Sequence, residues 1–554
     1  MIAGRYYLKR ILILISLSFI FLMWGNGILS LTSPDEVFYV QTAKEMIQHR
    51  SWLTPYLFDQ PQFEKPILSF WLFKAGFMLF GISSFSARLF PALFAMIGVI
   101  AVYLLGLLAV KEEKKAFLSA LILTSSGLYI GLARTVFTDM IFSVFILLSL
   151  LSFFWGYSDK AKKAYGSILF FIFSGLAVLT KGPLGLVIPI LIVIYFLAAK
   201  KDIRFLYCRE FLGWGLLIFM AIALPWYIYM FKRYGYGFIA EFFYNDHLRR
   251  FLAAEHPSAD KWYFYPASII GSVFPWSIFT LCALFSLPNN LRKENASSFL
   301  FLTSWIAVVF LIFQFCHSKL TSYIVPLFPP LSIITADFIY YFIAKKEKSR
   351  SVFNPFLITA IIFLIIGLCL GAGSFIILGR FADYISFKPS VYILSLSWLL
   401  LATLFAIRAF RHNYARGLYL LPCFMLTFFP VFPFVAKDVE PFVTSKEMGA
   451  YLLNNYKVEG TIICAKPLIR GVRYYTGKPV ALYGGNFFSP HPVPYLDMDY
   501  KLIGFLQKQP VTFAILTKSK SEDIAKTLDA QKEFKVTLLK IIGNEYLVRI
   551  NRSN

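Results

Sequence analysis

Thr32–Pro66 reads TSPDEVFYVQTAKEMIQHRSWLTPYLFDQPQFEKP and follows directly on a long apolar run, Ile11 to Leu31. That run is long enough to span a bilayer. Arg5, Lys9 and Arg10 precede it, and such basic flanks stay cytoplasmic. Thr32–Pro66 is therefore expected on the outer face, with Asp35 and Glu36 within a turn of the membrane surface. Charges placed there are costly unless partnered and are functional candidates by default. A purely structural account competes with that one. Ser33 suits an N-cap, Pro34 the first helical position, and Glu36 completes a capping box for a helix from Pro34 to about Gln48. A second charged pair, Glu64-Lys65, closes the stretch before Pro66. Two polar clusters on one membrane face point to a site lined by an acid and a base.

The composition sets the class. Of 554 residues, 58% are hydrophobic, and the mean hydropathy is +0.66. Those values belong to a polytopic membrane protein. The net charge of +24 does not indicate nucleic-acid binding, because the basic residues sit mostly in short loops between apolar runs, the pattern that orients a membrane protein. No A-x-A-like site follows the first run, which is expected to remain as an anchor. Six cysteines are scattered without C-x-x-C or metal spacing. Cys282, Cys369 and Cys423 fall within apolar runs, and no disulfide framework is implied.

Charge also decides the span count. Ile67–Phe80 is short for a crossing and contains Lys74. If it lies in the outer interface, the basic loops around 111–115, 160–163, 200–204, 292–293, 345–350 and 408–416 all fall inside. The sequence then predicts about thirteen spans, including Ala116–Ala133, Ala267–Leu287 and Leu418–Val435. The long outer loops are 32–88 and 232–264. From Ala436 onward the composition changes. Val458–Lys466 and Val511–Leu516 read as buried strands, Thr444–Tyr456 and Glu522–Lys532 as helices, and Phe534–Arg549 as a hairpin around Gly543-Asn544. The fold class is thus an all-α polytopic membrane domain over 1–436 with a small α/β domain over 437–554, expected on the outer side.

Several polar groups share the outer face. Asp139 opens a span, as a helix cap or as a site acid. Lys181 sits at an outer turn, either snorkelling or pairing with a phosphate. The segment from Glu241 to His256 gathers two histidines, two arginines and three acids, as a solvated amphipathic helix or as a binding loop. His256 with a carboxylate suits zinc, although no H-E-x-x-H spacing is present. Lys319 and Tyr323 fall one helical turn apart at the start of a span, as an interfacial anchor or as site residues. Together these groups place carboxylates and cations where cations hold a lipid-linked phosphate and a carboxylate activates an acceptor. No P-loop or Rossmann fingerprint occurs, so no nucleotide cofactor is expected. A transporter or lipid flippase is the reading from another class. It would carry its charges at the bilayer midplane rather than at the outer ends of spans.

The chain resembles the bacterial aminoarabinose transferases that modify lipid A, within the polyprenyl-phosphate-dependent membrane glycosyltransferases of GT-C type. Protein O-mannosyltransferases are more distant members. The carriers are Pro34-Asp35-Glu36 with Tyr39, Phe63-Glu64-Lys65-Pro66, Leu179-Thr180-Lys181-Gly182-Pro183, His247 with Arg250-Phe251, and Ser318-Lys319-Leu320 with Tyr323 through Pro329. The resemblance covers roughly the first 440 residues and is expected to extend to the C-terminal domain. It implies thirteen transmembrane helices, interfacial helices in the first outer loop, an undecaprenyl-phosphate sugar donor, and inversion at the anomeric carbon. By resemblance Asp35 is the main catalytic acid and Asp139 a second candidate. Lys65 holds the carrier phosphate, with Lys181, Arg250, Lys319 and Tyr323 as further ligands. Glu64 and His256 match the region where the family binds zinc, so zinc or another divalent metal is an expected cofactor. The implied acceptor is a periplasmic glycolipid such as lipid A, or a protein hydroxyl, with the enzyme in the bacterial inner membrane. Phe38 and Gln62 depart from the arginine and tyrosine that the lipid A enzymes tend to carry there.

Overall fold

The computed structural model describes residues 2–253, 257–290, 295–346, 354–484, 493–496, 498–509, 511–529 and 533–552. Among them, eight helices are long and apolar enough to cross a membrane. Thr138–Ser158 is the central one, with 78% of its most apolar window buried, whereas Pro355–Phe381, at 17%, lies on the periphery. Thr138–Ser158 packs along Lys163–Lys181 and Ser84–Val110. Large aromatic side chains, Phe153, Phe170, Phe171, Phe196 and Trp305 among them, fill the space between the helices. The protein is a multi-pass membrane protein.

Several expected spans are shortened or broken, each for an identifiable reason. The first helix, Ile2–Ser18, continues as a π-helix over Phe19–Met23 and stops. Gly25 follows at φ +78°, a left-handed conformation that glycine adopts without strain. Ile11–Leu31 is therefore helical only to Met23. The run Ala116–Ala133 bends by 62° between Glu113–Thr124 and Gly127–Ala133. Ser125 and Ser126 sit at the bend and turn their hydroxyls back onto the carbonyls of Leu121 and Ile122, a local bonding pattern that bends helices. Ala267–Leu287 breaks at Pro275 into Phe264–Ser272 and a helix beginning at Ser277. Leu418–Val435, interrupted by Pro422, Pro430 and Pro433, forms parts of Tyr414–Leu418, Leu421–Leu426 and Phe432–Val443. Proline lacks the N–H that a continuous helix requires.

The stretch after the first helix folds back on itself. Asp35–Gln48 is helical, and β1 (Tyr56–Leu57) pairs with β2 (Gln60–Pro61). The helix Leu68–Phe80 has 13 residues, about 20 Å at 1.5 Å per residue, short of a bilayer core. Its Lys74 donates to Ser51 O at 2.8 Å and covers the Trp52 ring at 3.8 Å. Trp71 donates to Trp52 O. This helix is thus fastened to the loop that precedes it.

The C-terminal domain is a six-stranded sheet flanked by helices. Its strands are β3 (Ile462–Ala465), β4 (Val480–Tyr483), β5 (Tyr495–Leu496), β6 (Val511–Leu516), β7 (Phe534–Ile542) and β8 (Glu545–Arg552), in the order β5-β4-β3-β6-β8-β7. The strands β3 to β6 are parallel, and the hairpin β7–β8 adds an antiparallel edge. Every residue of β3 and β4 is buried, as parallel strands covered on both faces require. The boundary expected at 436/437 falls inside Phe432–Val443. The domain is docked onto the loop at residues 30–59. Ser33 N donates to Val443 O at 2.9 Å, Tyr475 Oη to Leu31 O at 2.9 Å, and Arg473 pairs with Asp59 at 2.6 Å.

At this junction Glu545, 4% exposed, accepts the Ser445 hydroxyl at 2.5 Å. Its second oxygen is buried without a partner among the described residues. Burial pushes its carboxyl up to about 7, against the Ser445 hydrogen bond. The folded state therefore holds this proton more tightly than the unfolded chain. The associated stability is full below pH 4.5 and is lost as pH rises towards 7. Glu545→Gln is expected to melt higher than the wild type at pH 8, by on the order of 3 kcal/mol. The gain should vanish near pH 4.5, and a pH-independent difference in thermal unfolding would contradict it.

Candidate active site

The site begins with a buried ion pair. Arg88 enters on the first turn of Ser84–Val110 and meets Glu36 of Asp35–Gln48, with side chains 3% and 1% exposed. Arg88 Nε and Nη2 donate to the two Glu36 oxygens at 2.8 and 2.6 Å. The Thr32 N–H, the Thr32 hydroxyl and the Val136 N–H donate to the same carboxylate, each at 2.9 Å. The remaining guanidinium hydrogens take the carbonyls of Asn26, Leu29 and Ser30. Burial raises the Glu36 carboxyl, but the Arg88 bonds and charge outweigh it and hold the group below the usual carboxylate range. Every charge is matched and every lone pair engaged, the condition under which a buried pair is tolerated. The expected capping box does not form: Glu36 reaches Thr32, and the Ser33 hydroxyl is buried without a described partner. Glu36 is structural, and the clamp ties the chain at residues 26–36 to two other segments.

With Glu36 committed, Asp35 is left exposed, and it makes no side-chain hydrogen bond or ion pair with a described residue. Around it the acids and cations gather in pairs. Lys181 donates to Asp139 at 2.6 Å, with side chains 13% and 8% exposed, and lies 4.3 Å above the Tyr323 ring. Lys65 donates to Asp246 at 2.6 Å and to its own neighbour's carbonyl, Glu64 O, at 3.2 Å. Arg250 meets the other Asp246 oxygen at 3.2 Å. Asp246 and Arg250 come from the π-helix Ala240–Arg249 and the turn that follows it. Tyr39 sits among Asp139, Asp35 and Asp246. Burial first, and then the Asp139 charge, raise its phenol well above the ordinary range. Glu64 is surrounded by Arg470, Lys65, Asp246 and Arg250. Burial pushes its carboxyl up, against the pull of Arg470 and Lys65.

Comparison with known proteins places this arrangement. The family model for dolichyl-phosphate-mannose-protein mannosyltransferase matches residues 8–235. An uncharacterized protein from Aquifex aeolicus is 31% identical over 368 residues, 64% of this chain and 79% of its own. The undecaprenyl phosphate-alpha-4-amino-4-deoxy-L-arabinose arabinosyl transferase of Wigglesworthia glossinidia brevipalpis is 32% identical over 336 residues, 60% of this chain and 58% of its own. The crystal structure of ArnT from Cupriavidus metallidurans bound to undecaprenyl phosphate superposes with a TM-score of 0.76 at 18% identity, covering 99% of this chain and 98% of that one. The chain is similar in sequence to these undecaprenyl phosphate-dependent transferases and shares the ArnT fold. The likeness in fold to ArnT extends through the C-terminal domain, beyond the roughly 440 residues that the motifs cover. The archaeal oligosaccharyltransferase AglB of Archaeoglobus fulgidus is a more distant neighbour, with a TM-score of 0.53 at 11% identity. The aligned regions span 66%, 57% and 56% of the lengths of three of the curated relatives.

Of the residues singled out in the sequence, Asp35, Asp139, Glu64, Lys65, Lys181, Arg250 and Tyr323 fall in this one cluster. Lys319 does not. It donates to Asp260 at 2.5 Å, and His317 takes the other Asp260 oxygen at 2.8 Å. Leu320 is extended, and the following Thr321–Leu327 is a 3-10 helix, so Lys319 and Tyr323 are not one α-helical turn apart. His256 lies outside the described residues, among which no group of three or more His, Cys, Asp or Glu side chains gathers for a metal. Glu64 stands beside Arg470, Lys65 and Arg250, a cationic setting that suits an anion better than a divalent cation. Arg88 and Arg470 are not among the residues the sequence singles out, and Asp246 is there only as one of the three acids of residues 241–256. A lone arginine opening a 27-residue apolar helix was a signal for Arg88. Asp246 and Arg250 stand four residues apart, a local signal for that pair, whereas Lys65 is 181 residues from Asp246 and Glu64 is 406 residues from Arg470, beyond any local pattern.

Glu36→Gln strands the Arg88 charge and is expected to destabilise the protein by roughly 3–5 kcal/mol, as is Arg88→Met. The double variant leaves no lone charge and should be less damaged than the sum of the two. Thermal unfolding of the purified variants decides this, and additive losses would count against the clamp.

Proposed function

We propose that the protein is an inverting glycosyltransferase that moves one sugar from undecaprenyl phosphate to an acceptor at the periplasmic face of the bacterial inner membrane. The observation that carries this reading is the cluster itself: a carboxylate, Asp35, with no described partner, and cations held ready by neighbouring acids. The curated relatives named as undecaprenyl phosphate-aminoarabinose arabinosyl transferases support the donor class. In the reaction an acceptor oxygen attacks the anomeric carbon from the face opposite the carrier. The bond from that carbon to the phosphate oxygen breaks, and its electron pair leaves on the phosphate, whose negative charge rises. Lys65 and Arg250 stabilise that charge. Asp246 keeps the two cations together before the lipid arrives, which lowers the reorganisation needed at the moment of reaction.

Asp35 faces the acceptor. A hydroxyl acceptor gives its proton to Asp35 as general base, and a phosphate acceptor, already anionic, is oriented by it. One displacement suffices for inversion, so no second nucleophilic carboxylate is required. Asp139, neutralised by Lys181, positions that lysine and the Tyr323 ring rather than taking the proton. A lipid or glycan acceptor is the first reading. A protein hydroxyl is the second, favoured by the family model, whose description names a protein mannosyltransferase.

Asp35→Asn keeps the side chain's size and removes its charge. It should lower sugar transfer by about a hundredfold or more while leaving undecaprenyl-phosphate binding intact. Lys65→Ala should show the reverse split, with carrier binding weakened by at least about tenfold. Near-normal transfer by a folded Asp35→Asn protein would overturn the assignment. For orientation, Ile82 follows the helix Leu68–Phe80, and Lys111 follows the opposite end of Ser84–Val110. In a cysteine-free background, Ile82→Cys should react with an impermeant maleimide from the periplasm, and Lys111→Cys only after the membrane is opened. The opposite labelling would invert the proposed topology.

A further inference from the structure

Arg470 takes no part in the chemistry described above, yet it stands beside Glu64 in the same cluster. It is the second residue of the helix Ile469–Thr476 in the C-terminal domain. Its guanidinium lies 4.7 Å over the Phe38 ring. Phe38 follows Asp35 by three residues, so the two share a face of one helix. Arg470 Nη2 is 3.9 Å from Glu64 Oε1, a separation that gives attraction but no hydrogen bond. Its Nε is buried and donates to no described residue. A guanidinium presents five N–H donors in a rigid fork matched to phosphate and carboxylate, and a buried donor left unmade is costly. The base of this side chain is fixed. The Ser33–Val443 backbone bond, the Tyr475–Leu31 bond and the Arg473–Asp59 pair hold its helix against the loop. The cluster therefore contains a positioned arginine with spare donors, contributed by a domain that the transmembrane chemistry does not otherwise need.

We propose that Arg470 binds a phosphate-type oxyanion arriving at this cluster, which makes the C-terminal domain part of the substrate site. The inference rests on the glycosyltransferase reading. Two sources fit that chemistry: an anionic group on the acceptor, or the carrier phosphate. The acceptor is the expected one, because Arg470 lies over the helix that bears Asp35, while Lys65 and Arg250 converge on Asp246.

The test is direct binding to the purified full-length protein, by native mass spectrometry, of undecaprenyl phosphate, phosphorylated lipid A and dephosphorylated lipid A. Arg470→Ala should lose at least about tenfold in affinity for phosphorylated lipid A and little for the dephosphorylated form. Arg470→Lys should recover only part, because lysine lacks the fork. Arg473→Ala, which removes a docking contact on the same helix, should bind as the wild type does. A loss confined to undecaprenyl phosphate would support the oxyanion role and assign it to the carrier. Unchanged binding by Arg470→Ala of whichever lipid phosphate the wild type takes would overturn the proposal. So would an equal loss in Arg473→Ala, which would reduce Arg470 to a docking residue. A wild type that binds neither lipid phosphate would bring down the glycosyltransferase reading itself, and this inference with it.

Discussion

The pairing of Arg88 with Glu36 is the constraint from which the rest of the site follows. Two charges buried to this depth are stable only when each is opposed and its remaining hydrogen-bonding capacity is used. Glu36 meets that condition with donors from Thr32, Arg88 and Val136, and Arg88 with the carbonyls of residues 26, 29 and 30. These bonds bring the end of the first helix, the start of Asp35–Gln48, the start of Ser84–Val110 and the turn before Thr138 to one point. Asp35 is the neighbour in sequence of a residue that cannot move, and that neighbour alone is consumed by structure.

The same economy governs the other charges. Asp246 holds Lys65 and Arg250, and Asp139 holds Lys181. At positions so little exposed, unopposed cations would repel one another and lose hydration without return. Counter-ions supplied by the protein keep the cations charged and placed, so an arriving lipid phosphate meets a set of donors already in position. Glu64 differs, since Arg470 faces it without a hydrogen bond. That side of the cluster is where the C-terminal domain enters.

The C-terminal sheet is built like a soluble α/β unit, with β3 and β4 buried on both faces, but its helix Ile469–Thr476 is committed to the first outer loop. Arg473 reaches Asp59, Tyr475 reaches Leu31, and Lys44 lies over the Tyr474 ring. The loop 30–65 is thus held from below by Arg88 and from above by this helix. Loops that carry chemistry need such a rigid support if their side chains are to keep their geometry.

Hydropathy and charge placement were enough to establish a polytopic membrane protein with a C-terminal α/β domain, and a handful of ordered motifs singled out most of the side chains that the fold brings together. Those features are local: an apolar run or a Glu64-Lys65-Pro66 signature is legible wherever it stands, because bilayer thickness and helix geometry act on consecutive residues. Helix ends and breaks were less legible. Ser125-Ser126 and the prolines near residue 430 redirect the chain only in proportion to what packs against them, as Trp276 does by donating to Ser125. The sequence already set Asp35 apart as the candidate acid and Glu36 as a helix cap, but the partner that holds Glu36 was decided by tertiary structure. Both open the same helix, and nothing within a turn of them distinguishes the two fully. Arg88, 52 residues on, takes one and leaves the other free. Lys65 reached Asp246, and Arg470 reached Glu64, in the same way, through pairings whose sequence separation no local pattern encodes and which only the closed fold brings within reach.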